Sequence, residues 1–134
     1  MQRKLAVFDI DGTIFRSSLL IELVNALVEE GVFPKRACEE YRKAYTDWVN
    51  RKDSYEKYIW GVIHAFEKYC RGVHYKVFLK VVKKVVARHK HRVYRFTRDL
   101  VQTLARKGYY LLAISHSPKM VIDGFGKTLG FSKI

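Results

Sequence analysis

Cysteine and proline are scarce in this chain, acidic residues are outnumbered, and no apolar run is long. Only two cysteines, Cys38 and Cys70, stand among 134 residues, without metal-ligand spacing. Neither a zinc module nor a disulfide framework is therefore expected, and both thiols read as reduced and partly buried in helix-like segments. The five histidines are scattered, and His89-Lys90-His91 is too short and too basic for a metal tract. No stretch approaches the roughly 20 apolar residues that span a bilayer, so no membrane partner is expected. The basic start Arg3-Lys4 leads into an apolar run that Asp9 and Asp11 interrupt. That argues against a secretory leader and makes the cytoplasm the default location. No repeat and no low-complexity linker is present.

What is there has the balance of a globular protein. Apolar residues make up 49% and charged residues 29% of a chain long enough for a single core. Lysine and arginine number 26 against 13 aspartates and glutamates, a net charge of +13. Such a balance favours anionic partners of any kind: phosphorylated metabolites, nucleic acid or a charged surface. It does not identify a fold.

Periodicity gives the order of elements. Lys4 to Phe8 reads as a short buried strand followed by a glycine turn, and Tyr109 to Ser115 as a second. Between them lie helical patterns. Ser17 or Ser18 can cap a helix bearing Leu20, Leu23, Val24, Leu27 and Val28, which Gly31 ends. Pro34 suits the first turn of the next helix, near 35–51. Asp53-Ser54-Tyr55-Glu56 resembles a capping arrangement with Asp in the cap position, opening a helix through Ile59, Ile63 and Phe66. A further helix repeats valines at Val77, Val81 and Val85, and another carries Val93, Phe96, Leu100 and Leu104 as far as Gly108. Pro118 starts a last helix, with Gly130 at its end. Two buried strands separated by helical sequence predict a parallel pair with a helical insertion.

Chemistry concentrates where the strands end. Val7-Phe8-Asp9-Ile10-Asp11-Gly12-Thr13-Ile14 places two carboxylates two residues apart, with a glycine turn directly after. Strand alternation predicts that Asp9 and Asp11 point one way while Ile10 packs inward. Carboxylates so close repel unless a cation or a shared proton compensates. A hard cation such as Mg²⁺ takes oxygen ligands and commonly sits between carboxylates and a phosphate. A carboxylate can also attack phosphorus to form an aspartyl-phosphate, while a second acid protonates the leaving oxygen and later activates water.

Asp9-Ile10-Asp11-Gly12-Thr13 after a hydrophobic strand resembles the first motif of the haloacid dehalogenase (HAD) superfamily. Leu111-Leu112-Ala113-Ile114-Ser115 resembles the second, a hydrophobic strand ending in Ser or Thr. The continuation His116-Ser117-Pro118, then Leu129-Gly130-Phe131, is similar to the phosphoserine-phosphatase-like branch, which carries a helical cap between these motifs. The resemblance implies an α/β fold: the N-terminal part of a Rossmann-like core of parallel strands with an inserted all-helical cap. Residues 1–16 and 92–134 would be core and 17–91 cap. It further implies Asp9 as nucleophile and Mg²⁺ ligand, and Asp11 as general acid/base lending its carbonyl to the metal. Ser115 would hold phosphoryl oxygens, helped by the backbone N–H of His116. Arg16, just past the first motif, would meet a carboxylate or second phosphate of a small phosphorylated metabolite, or serve as a surface hinge residue.

The family also uses a third-motif Lys or Arg and a fourth-motif acidic pair. Lys133 lies too close to the second motif for the one, and no acidic residue follows Asp123. The expectation is an incomplete core, a third strand beginning near Phe131-Ser132-Lys133-Ile134, and little or no catalysis by these residues alone. A basic face of Lys76, Lys80, Lys84 and Arg88 leaves an alternative open, a non-catalytic module binding nucleic acid. A phosphotransferase of the same family is the nearer one. The aromatic set Tyr41, Tyr45, Trp48, Tyr55, Tyr58 and Trp60 is expected to serve helix packing.

Overall fold

The apolar run after Lys4 forms strand β1, Leu5–Asp9, and the second run forms β2, Tyr110–Ile114. The structure, a computed structural model, describes residues 3–134. The strands pair in parallel, with Leu5 beside Tyr110 and Asp9 beside Ile114. Parallel pairing requires a crossover. Here it consists of α1 (Leu19–Glu29), a 3-10 turn (Lys35–Cys38), α2 (Glu39–Val49), α3 (Tyr55–Tyr69), α4 (Tyr75–His89) and α5 (Arg95–Arg106). Helix α6 (Lys119–Lys127) follows β2, after Pro118 in the cap position. The chain then returns to the sheet: Lys133 donates its N–H to the Leu111 carbonyl at 3.1 Å and accepts from Ala113 N–H at 3.0 Å. Leu112 and Lys133 are bridged in parallel, so β2 has a partner on each side.

The strands are present as expected, but they are not buried on both faces. Leu111 and Ala113 turn inward, whereas Leu5, Val7 and Ile114 are 56%, 51% and 57% exposed. An unbroken apolar run is the mark of a parallel strand covered on both sides; it does not itself reveal which face has a cover.

Contacts divide the chain into two compact units, one of residues up to Leu19 with Val82–Ile134, the other Leu20–Val81. The first has the sheet and a core that includes Ile10, Phe15, Val101, Leu111 and Phe125. The rings of Phe15 and Phe125 meet edge-on at 5.3 Å, and full burial of such side chains is worth about 1.5–3 kcal/mol each. The face expected on α5 is rotated. Val101 is its buried residue, and Phe96 is 78% exposed.

The unit Leu20–Val81 is helical. Its α2 and α3 pack through aromatic rings, with Trp48 stacked on Tyr58 at 5.5 Å and Tyr45 against Tyr58 at 5.2 Å. Gly61 permits this approach, since a Cβ there would lie 2.8 Å from the Tyr41 Cβ. The cap of α3 falls one residue later than the sequence pattern suggested. Ser54 accepts from Lys57 N–H at 3.4 Å, while Asp53 accepts from Ser54 N–H at 2.7 Å. The buried face of α3 is Tyr58, Val62 and Ala65, beside the expected Ile59, Ile63 and Phe66, which are half-buried. Cys38 and Cys70 are free and half-buried. Among the described residues no helix is long and apolar enough to cross a membrane.

Candidate active site

The loop after β1 is wound around one carbonyl. Ile10, fully buried, accepts the N–H groups of Thr13, Ile14 and Phe15 at 3.2, 3.0 and 2.9 Å. Gly12 turns the chain at φ 76°, a left-handed conformation that costs other residues roughly 1–2 kcal/mol. Its N–H points to the carbonyls of Phe15 and Ser17 at 2.9 and 3.1 Å. Because β1 stops at Asp9, strand alternation does not extend to Asp11, and the loop sets that side chain's direction instead.

The two carboxylates accordingly have separate partners. Asp9 is exposed, and its Oδ2 accepts the Thr13 hydroxyl at 2.8 Å. Asp11 is partly buried and gathers three groups from two parts of the chain, the start of α1 and the loop after β2. Its Oδ1 accepts the N–H of Leu19, first residue of α1, at 2.7 Å. Its Oδ2 accepts the Ser115 hydroxyl at 2.5 Å. The Ser117 hydroxyl lies 3.0 Å from both oxygens. Asp11 thus also satisfies the first N–H of α1, directly after Ser18.

Asp9, Asp11 and Ser115 therefore come together at the carboxyl ends of β1 and β2, where open parallel sheets hold their sites. His116 follows Ser115 and is exposed. Arg16 is exposed with its guanidinium 5.8 Å from the centre of the Tyr94 ring. Its N–H donates to the Arg92 carbonyl at 3.0 Å, and Tyr94 N–H donates to the Ile14 carbonyl at 2.9 Å. Arg16 is thus held against the segment that leads into α5. Lys133 lies beside Leu112, two residues short of the end of β2.

Sequence reasoning missed Ser117. Its signal was present: two hydroxyl residues two apart after a strand end fall on the same side of an extended chain. The donor set also bears on a cation. The Asp9 carboxylate and the Asp11 main-chain carbonyl are oxygen ligands of the kind a hard divalent ion takes, with water and phosphate oxygens completing its shell. Among the described residues no group of three or more His, Cys, Asp or Glu side chains clusters, so protein side chains alone would not enclose the ion.

The sheet-end site thus has Asp9 at the end of β1, Asp11 on the loop after it and Ser115 just past the end of β2. Over residues 6–134 the sequence matches the family HAD, haloacid dehalogenase-like hydrolase. The chain belongs to that family. A search of curated proteins found no match.

Proposed function

We propose that this chain carries the phosphoryl-transfer site of a Mg²⁺-dependent phosphomonoester hydrolase, of the phosphoserine-phosphatase-like branch, acting on a small phosphorylated metabolite in the cytoplasm. The observation that supports it most is the Ser115–Asp11 hydrogen bond at 2.5 Å, which unites two motifs 104 positions apart. In the proposed reaction an Asp9 carboxylate oxygen attacks phosphorus and the bond from phosphorus to the ester oxygen breaks. That oxygen takes a proton from Asp11 and leaves as the alcohol. Water then gives a proton to Asp11 and attacks the acyl phosphate, releasing phosphate and restoring Asp9. Thr13 holds one oxygen of Asp9, which leaves the carboxylate oriented for in-line attack. Ser115 and the N–H of His116 hold phosphoryl oxygens, and Arg16 meets an anionic part of the leaving group. Mg²⁺, held by the Asp9 carboxylate and the Asp11 carbonyl, supplies charge neutralisation at the phosphoryl group when bound. The helical insertion between the two motifs, residues 17–91, serves in this reading as the cap that selects the substrate.

The test is the covalent intermediate. Joined to a segment that supplies a third-motif cation and a fourth-motif acidic pair, the chain should acquire a hydroxylamine-labile phosphate on Asp9 with Mg²⁺ and a phosphoryl donor, and EDTA should prevent it. Asp9→Asn should lower labelling by at least ~10³-fold, because an amide is neither nucleophile nor good ligand. Label retained in that variant would remove Asp9 from the reaction.

A further inference from the structure

The Ser115 hydroxyl has one proton to donate, and in this structure that proton goes to Asp11 Oδ2. The phosphomonoester reading, on which this inference rests, gives the same proton to a phosphoryl oxygen. Both cannot be served at once. Substrate capture must break the Ser115–Asp11 bond, and a partly buried carboxylate that loses a donor without replacement is costly.

Ser117 resolves the conflict. Its hydroxyl lies at 3.0 Å from both oxygens of Asp11, and the residue is only 9% exposed. Its N–H donates to Ser115 Oγ at 3.1 Å, which fixes the two serines relative to each other while leaving the Ser115 proton able to turn. The remaining donor, Leu19 N–H, reaches only Oδ1 and belongs to a helix end, so it cannot take over Oδ2. We propose that Ser117 is a positioning residue that keeps Asp11 satisfied and in place when the Ser115 hydroxyl turns to the phosphoryl group. Without it, binding the anion and holding the acid/base group would compete for one proton.

The test uses the full chain with Mg²⁺ and inorganic phosphate as probe, followed by titration calorimetry beside a melting curve. Ser117→Ala should weaken phosphate binding about fivefold, the value of one hydrogen bond. Ser117→Thr, which keeps the hydroxyl, should stay within about twofold of wild type, whereas Ser117→Val should behave as the alanine variant. The Thr/Val pair decides the matter if Ser117→Ala does not fold. In a Ser115→Ala background there is no hydroxyl to release, so Ser117→Ala should then have little further effect. A Ser117→Val chain that binds phosphate as Ser117→Thr does, or a loss of equal size with and without Ser115, would overturn the inference alone. A folded wild-type chain that binds no phosphate would overturn the phosphomonoester reading and this inference with it.

Discussion

The hydroxyl of Thr97 donates to the main-chain carbonyl of Thr13 at 2.8 Å. The first turn of α5 is thereby fastened to the loop that carries Asp9, and the hydroxyl of the same Thr13 holds the Asp9 carboxylate. A residue distant in sequence is thus linked to the Asp9 carboxylate through one intermediary.

Thr97→Val keeps the shape of the side chain and removes the donor. Loss of about 1 kcal/mol of stability is expected. Acyl-phosphate formation should fall by roughly three- to tenfold. Measured together, a stability loss without a rate loss would show that the fastening serves the fold and not Asp9.

Asp11→Asn should distinguish proton transfer from scaffolding. An alkyl phosphate, whose leaving oxygen needs a proton, should be processed about 10²–10⁴-fold more slowly. p-Nitrophenyl phosphate, with a stable leaving phenolate, should be slowed far less. Equal loss on both esters would leave Asp11 only its role as anchor for Leu19, Ser115 and Ser117.

The helical unit should fail in alkali. Burial pushes the Tyr58 hydroxyl up to about 12, and burial, then the hydrogen bond to Cys38, push Tyr41 further. The Tyr41 hydroxyl also donates to Asn25 Oδ1 at 3.1 Å. A raised folded value means that the stabilisation is complete below the unfolded value near 10 and is lost as pH rises above it. The melting temperature should therefore be level up to about pH 9 and fall above about pH 10. Tyr41→Phe with Tyr58→Phe should flatten that limb, at a cost of ~1 kcal/mol near neutrality for the lost Asn25 bond. An unchanged limb in the double variant would place the alkaline weakness elsewhere.

The basic stripe of α4 admits a separate check. Lys80, Lys84 and Arg88 are exposed, and reversing all three to Glu should lower any salt-dependent affinity for a DNA oligonucleotide by tenfold or more. Acyl-phosphate formation should be unaffected. Binding that survives reversal would assign the stripe to solvation alone.

Both strands, their parallel pairing and the meeting of Asp9, Asp11 and Ser115 were legible in the sequence, because short apolar runs ending in polar residues carry that signal locally. The covering of each strand face was not, since Leu5 and Val7 look the same whether or not anything packs on them. The face of α5 misled for a related reason. Phe96 fits the helical period, yet helix orientation is decided by what lies beneath, and Val101 took the core position. The bond from Leu19 N–H to Asp11 was hidden because its acceptor lies eight residues ahead of the donor, outside the usual capping window. Ser117 stands in the sequence as part of His116-Ser117-Pro118, but a loop hydroxyl shows no role of its own until its acceptor is placed beside it.

The 104 positions between Asp11 and Ser115 also impose a schedule on biosynthesis. At roughly 5–20 residues added per second, Asp11 waits about 5–20 s for its hydroxyl partners. The contiguous segment Leu20–Val81 has left the ribosome within that interval and can settle by itself. Strand β1 likewise waits for β2, with which it pairs. The carboxylates thus precede their hydroxyl partners in synthesis by the whole helical segment, and the site takes shape only after that segment has been made.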